Sequence, residues 1–267
     1  MRTGRVVHGG SIHTCTPVAN GRIRLASGQI VDESDVQWLA PFEPRTIFTL
    51  ALNYADHASE LAAKSSADQA TFLKAQQAEP IVFLKAANSV IGHRGQTRRP
   101  ADAAFMHYEC ELAVVIGREG RRIARADALQ YVRGYTVAND YAIRNFLEPY
   151  YRPNLRVKSR DGGTALGPWL VPASEVPDPM NLRLTTHVGG QLVQEGNTAD
   201  MIHDVPSLIE YLSGIMTLSP GDVILTGTPK GSVDVPVHAE VVCEVEGIGR
   251  LLNTLVPDWI PAPVTGA

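Results

Sequence analysis

Ten residues, His107-Tyr-Glu-Cys-Glu-Leu-Ala-Val-Val-Ile116, restrict the fold of this chain more than any other stretch. Leu112 to Ile116 is apolar on both faces, as in a strand buried inside a sheet, yet the run is entered through Glu109 and Glu111. Alternate residues of a strand face the same way, so the two carboxylates share a face, roughly 6.6 Å apart along the backbone. Two like charges turned toward one interior repel unless one is protonated or a cation bridges them. A third acid, Asp140, closes the next apolar run, Tyr135-Thr-Val-Ala-Asn-Asp140. Three such oxygen donors suit a hard divalent cation that keeps its other positions for water or substrate. The spacing alone also fits a solvated acidic face, and Asn139-Asp140 also fits a turn. The apolar surroundings of the strand favour the cation.

With 267 residues the chain can bury a substantial core in one large domain with a small extension. Its net charge is -4 and it has no basic tail or stripe, which argues against nucleic-acid binding. No apolar run approaches the roughly 20 residues of a membrane span, and Met1 to Asn20 lacks the apolar centre of a signal peptide, so a cytoplasmic protein is expected. The three cysteines, Cys15, Cys110 and Cys243, are far apart and form no Cys-x-x-Cys pair. Cys110 alternates with the glutamates and is expected to face a packed core instead.

Residues 1–45 alternate in short runs punctuated by glycine, which predicts a hairpin-rich N-terminal extension ending at Pro41 and Pro44. The remainder, 46–267, reads as the main domain. Its first apolar run, Thr46 to Leu52, leads into Asn53-Tyr-Ala-Asp-His-Ala-Ser-Glu60. Glu60 to Glu79 is rich in Ala, Lys, Ser and Gln and is expected to be a mobile, exposed lid. Further strands are predicted at Ile81–Leu84 and Gly134–Ala138, with a short helix at Asp127–Val132. Tyr150 to Gly163 is expected to be a basic loop. Leu182–Val188 and Gln191–Gln194 predict a hairpin about Gly189-Gly190. Asp204 and Pro206 begin a helix over Ser207–Met216. Val223–Thr226 is a buried strand, and Glu240–Val245 with Leu251–Val256 makes a closing hairpin. Many strands and few helices, without regular βαβ alternation, predict an α+β fold on a mixed, rolled sheet.

His57 and Glu60 are three apart and form either a general-base dyad or an exposed helix pair. Lys158 is placed to neutralise a substrate carboxylate or to be solvated in its loop. Gly227-Thr-Pro-Lys-Gly231 lacks the Gly-Lys-Ser/Thr ending of a phosphate loop. Together, Asn53-Tyr-Ala-Asp-His57 with Glu60, Phe83-Leu-Lys85, Glu109-Cys-Glu111, Asn139-Asp140, Lys158-Ser-Arg-Asp161 and Thr226-Gly-Thr-Pro229 resemble the fumarylacetoacetate hydrolase superfamily over roughly Thr46 to Val256. Within it, Gly92 to Arg99 and Tyr150 to Lys158 look most like the isomerase/decarboxylase of homoprotocatechuate (4-hydroxyphenylacetate) breakdown, some relatives of which fuse two such halves in one chain.

The resemblance implies a mixed β roll, usually a homodimer. It implies Mg²⁺ or Mn²⁺ held by Glu109, Glu111 and Asp140, a His57–Glu60 dyad on the lid, and substrate contacts from Lys158 and Thr228. The implied reactions are decarboxylation of 5-carboxymethyl-2-oxo-hex-3-ene-1,7-dioate and isomerisation of 2-hydroxyhepta-2,4-diene-1,7-dioate through a shared dienolate. The distal carboxylates of such a 2-oxo acid need cations, for which Arg144, Arg152, Arg156 and Arg160 are at hand. Acylpyruvate hydrolysis and oxaloacetate decarboxylation on the same scaffold are the nearer alternatives. A non-catalytic interaction protein holding a structural Ca²⁺ is the remote one.

Overall fold

The structure is a computed structural model that describes residues 1–57, 78–146 and 155–258. Glu60, Arg152, the lid expected from Glu60 onward as far as residue 77, the first part of the basic loop and the Pro-rich C-terminus lie outside the described residues.

The first five strands, β1 (Gly4–His8), β2 (Ser11–Val18), β3 (Arg22–Leu25), β4 (Ile30–Asp32) and β5 (Gln37–Leu39), make an antiparallel sheet in the order β4-β3-β2-β1-β5. It closes over a small core of Val6, Cys15, Ile23, Leu25 and Trp38. Downstream come β6 (Ile47–Ala51), β7 (Ile81–Lys85), β8 (Val90–Ile91), β9 (Gly95–Arg99), β10 (Met106–His107), β11 (Cys110–Ile116), β12 (Val132–Asp140), β13 (Ala142–Ile143) and β14 (Thr164–Pro172). They are followed by β15 (Arg183–Val188), β16 (Gln191–Asn197), β17 (Val223–Leu225), β18 (Glu240–Val245) and β19 (Gly249–Pro257). A seven-stranded sheet in the order β7-β6-β17-β11-β12-β14-β8 packs against a five-stranded sheet, β16-β15-β18-β19-β9. The β6/β17, β8/β14 and β9/β19 pairs are parallel and the other pairs of these two sheets antiparallel, so both are mixed, as the α+β reading requires.

Strand β11 is central and buried along its whole length. Its even-numbered residues Cys110, Leu112 and Val114 face the second sheet with Val241, Cys243 and Leu251. Ala113 and Val115 face the other way, against Ile47, Ala138 and Leu166. Glu111 shares that second face by alternation.

Thr164–Pro172, for which the sequence suggested no strand, forms β14. Its Gly167-Pro168 step coincides with a register irregularity opposite Tyr135–Val137, the setting in which a sheet tolerates proline. The expected helix near Asp127 is a 3-10 turn, Arg125–Tyr131. Within the expected basic loop, Leu155–Lys158 forms one helical turn, α1. Helix α2 (Val205–Ile215) starts where Asp204 and Pro206 predict, the Asp204 carboxylate accepting from the Ser207 amide at 3.0 Å. Asp204→Ala is expected to cost about 1 kcal/mol in urea denaturation, with Asp204→Asn near wild type. No helix among the described residues is long and apolar enough to cross a membrane.

Candidate metal centre

Strand register assembles the three acids. In the antiparallel β11/β12 pair Cys110 faces Asn139 and Glu111 faces Ala138, and the Asp140 amide donates to the Glu109 carbonyl at 2.9 Å. Glu109 is thereby opposite Asp140, and Glu111 is diagonal to Asp140 on the same face. One oxygen from each carboxylate lies within 4.8 Å of the others. Ala138, across from Glu111, contributes only a methyl group and leaves room for the cluster. Asn139 points to the opposite face, where its side-chain oxygen accepts from the Glu109 amide at 3.0 Å and its nitrogen donates to Asn253 at 3.1 Å. The backbone at Glu109, just before the strand begins, is fixed by that bond.

All three acids are buried, and three cations meet them. The Lys158 ammonium donates to Glu109 Oε2 at 2.6 Å and Asp140 Oδ2 at 2.7 Å. Arg144 donates to Glu109 Oε1 at 2.5 Å, and its Nε to His107 Nδ1 at 3.3 Å. Lys85, at the end of β7, donates to Asp140 Oδ1 and to the Lys158 carbonyl. Burial pushes the Glu109 carboxyl up, but Lys158 and Arg144 outweigh it and hold it at about 2. Burial likewise pulls Lys158 down, and Asp140 and Glu109 more than restore it. For Lys85 burial wins over Asp140 and the ammonium is pulled below its usual range.

Glu111 differs from its neighbours. Burial first, then the Asp140 and Glu109 charges, push its carboxyl well above the ordinary range. Its Oε2 accepts from the Gly227 amide at 2.6 Å, while Oε1, fully buried, has no hydrogen-bond partner among the described residues. An orphaned carboxylate oxygen beside two further carboxylates, with no sulfur and no imidazole among the three ligands, is the donor set of a hard divalent cation. The residues fit such an ion.

The remaining candidates are distributed unevenly. His57 is buried, and its charge acts on Glu109 and His107. Asn53 anchors the segment ahead of it: its amide nitrogen donates to the His203 and Thr226 carbonyls, both at 2.9 Å, and its oxygen accepts from the His203 amide at 2.9 Å. Thr228 follows Gly227 and is joined to the cluster through the bond to Glu111. Arg160 donates to Asp258 at 3.3 Å, beyond the end of β19, and does not join the cations around the acids. Neither Lys85 nor Asn53 has a role that its spacing in the sequence reveals. A lysine closing the apolar run Ile81–Leu84 was the available signal for Lys85.

The family model for the fumarylacetoacetate (FAA) hydrolase C-terminal domain matches residues 46–256. The chain is 56% identical over 211 residues to a 4-hydroxyphenylacetate degradation bifunctional isomerase/decarboxylase of Salmonella dublin, covering 79% of this chain and 47% of that protein. It therefore spans about half the length of that curated relative. Among solved structures, 5-carboxymethyl-2-hydroxymuconate delta-isomerase from Mycobacterium smegmatis superposes with a TM-score of 0.82 at 33% identity, covering 97% of this chain and all of the other. Fumarylpyruvate hydrolase from Pseudomonas aeruginosa, solved with Mn²⁺ and pyruvate, gives 0.71 at 28% identity, over 82% of this chain and 91% of that one. On the match across residues 46–256, the chain belongs to the fumarylacetoacetate hydrolase family.

Proposed function

We propose that this chain is a divalent-metal-dependent enzyme that decarboxylates 5-carboxymethyl-2-oxo-hex-3-ene-1,7-dioate and isomerises 2-hydroxyhepta-2,4-diene-1,7-dioate, with Mg²⁺ or Mn²⁺ held by Glu109, Glu111 and Asp140. The observation that carries the reading is the buried carboxylate trio with its orphaned Glu111 oxygen. The 56% identity to the Salmonella dublin isomerase/decarboxylase supports this pair of reactions over the others. A cytoplasmic homodimer, with residues 1–45 as an extension of the catalytic domain 46–267, belongs to the same proposal.

In the substrate the carboxylate to be lost stands on C5, conjugated through C3=C4 to the C2 ketone. Loss of CO₂ leaves the bonding pair on a dienolate that runs from C5 to the C2 oxygen. A proton on that oxygen gives the 2-hydroxy-2,4-diene, and a proton at C5 gives the 2-oxo-3-ene. Both reactions thus pass through one species and need one site. When bound, the divalent ion supplies Lewis-acid stabilisation of the charge that builds on a keto oxygen, worth several kcal/mol. Arg144 and Lys158 supply positive charge next to it. Thr228 offers a hydroxyl to a substrate oxygen. His57 carries the proton to and from C5, with Glu60 orienting its imidazole. Arg152 and Arg160 are assigned to the distal carboxylates.

The test is ultraviolet monitoring of the dienol with and without added Mg²⁺, alongside acetylpyruvate as competitor substrate. Metal-dependent loss of the dienol absorbance is expected, and faster turnover of acetylpyruvate would move the assignment to hydrolysis. His57→Ala is expected to slow isomerisation by about 10²-fold or more, the usual weight of a general acid-base group. CO₂ release should fall much less. Equal losses in the two half-reactions would contradict that division of labour.

A further inference from the structure

We propose that Gln194 is a positioning residue that sets the direction in which the Thr228 hydroxyl donates, so that its proton goes to an oxygen of the bound 2-oxo acid. This rests on the reading above in which Thr228 meets the substrate. Gln194 lies on β16, is buried at 3% exposure, and belongs to none of the motifs read from the sequence.

Its amide nitrogen donates to Thr228 Oγ1 at 3.0 Å and to the Pro229 carbonyl at 2.7 Å, and its amide oxygen accepts from Thr186 Oγ1 at 2.9 Å. The orientation of this amide is forced. A carbonyl has no proton to give, so the group against the Pro229 oxygen must be the NH₂. Thr228 Oγ1 is therefore an acceptor toward Gln194, and its own proton is left for a different partner. Thr186 in turn spends its proton on Gln194. The donors run one way, from β15 through Gln194 to Thr228, and each such bond polarises the next. The loop that receives them is tied to the acids, since the Gly227 amide donates to Glu111 Oε2 at 2.6 Å. Without the amide at position 194, this donor no longer sets the rotation of the Thr228 hydroxyl.

The experiment is a double-mutant cycle on the full chain loaded with Mn²⁺. Binding of oxalate, a planar mimic of a 2-oxo acid enolate, is measured by calorimetry, and Mn²⁺ affinity by electron paramagnetic resonance. Gln194→Met keeps the length of the side chain and removes the amide without adding charge, and Gln194→Leu replaces it should the Met variant fail to fold. In the wild-type background oxalate binding is expected to weaken about fivefold, within the range of one net hydrogen bond. Mn²⁺ affinity should be unchanged. In a Thr228→Val background the same substitution should leave oxalate affinity unchanged, because there is no hydroxyl to direct. Equal losses in both backgrounds, or a loss of Mn²⁺ affinity, would show a merely structural residue and overturn the inference. A wild-type chain that binds Mn²⁺ but no oxalate overturns the functional reading and this inference with it, whereas oxalate binding with an additive cycle overturns this inference alone.

Discussion

Glu111→Gln is expected to lower metal-dependent turnover roughly a thousandfold, corresponding to about 4 kcal/mol of the Lewis-acid stabilisation, while the metal-free protein becomes no less stable. The two halves of that expectation have one cause. Burial, reinforced by Asp140 and Glu109, raises the Glu111 carboxyl well above its ordinary range. As pH climbs from the ordinary glutamate range toward the raised folded value, the unfolded chain loses this proton and the folded chain keeps it. The folded state then binds more protons than the unfolded one, so stability falls across that window. A glutamine has no proton to lose and escapes the penalty, and its oxygen still accepts from Gly227. Metal-free urea melts should give similar midpoints for the two proteins near pH 4, with the variant ahead at pH 8. The ion reverses the balance by taking the place of the proton, so Mn²⁺ affinity of the wild type should rise with pH. Parallel pH slopes for wild type and variant would show that Glu111 is already ionised without metal, and retained turnover in the variant would remove it from the site.

Glu109 and Glu111 were legible as a pair because a two-residue spacing within an apolar run has one meaning in a strand. What brings Asp140 to them was not. Its position depends on β11/β12 register across the intervening Arg125–Tyr131 turn, and a shift of one residue would have sent Asp140 to the face where Asn139 now anchors Glu109. Strand β14 was hidden by Gly167-Pro168, which reads locally as a break and is accommodated only because its neighbour offers an irregular register. Helix α2 was readable from both of its start signals, since an N-cap and an early proline act within one turn. The role of Lys85 was not legible from its neighbours. A lysine on an edge strand is ordinarily solvated, and only the convergence of β7 with α1 and β12 buries this one. Gln194 carried no local signal, since its partners Thr186, Thr228 and Pro229 come from separate segments.

Lys158→Met should bind Mn²⁺ more tightly than the wild type and yet turn over the proposed 2-oxo acid substrate at least a hundredfold more slowly. The Lys158 ammonium, held by Glu109 Oε2 and Asp140 Oδ2, occupies the oxygens that the ion needs. A divalent ion and the ammonium competing for one pair of carboxylates repel by about 8 kcal/mol at 4 Å in an effective dielectric near 20, twice the value for two unit charges. Removing the lysine relieves part of this, and a gain in Mn²⁺ affinity of about tenfold needs only ~1.4 kcal/mol of it. Methionine keeps the length of the apolar stem and removes only the ammonium, which lies 5.9 Å from the Phe83 ring centroid. The metal-free variant pays for the change: two buried carboxylate oxygens lose their partner, a loss of about 3–5 kcal/mol by the usual cost of breaking a buried ion pair. Mn²⁺ should therefore raise the melting temperature of Lys158→Met by more than it raises that of the wild type. The turnover loss has a separate origin, since the positive charge expected to meet the substrate is gone. Weaker Mn²⁺ binding by the variant, in a protein that remains folded, would mean that Lys158 supports the ion site instead of competing with it, and that the ammonium does not have to leave the acids before substrate can be held.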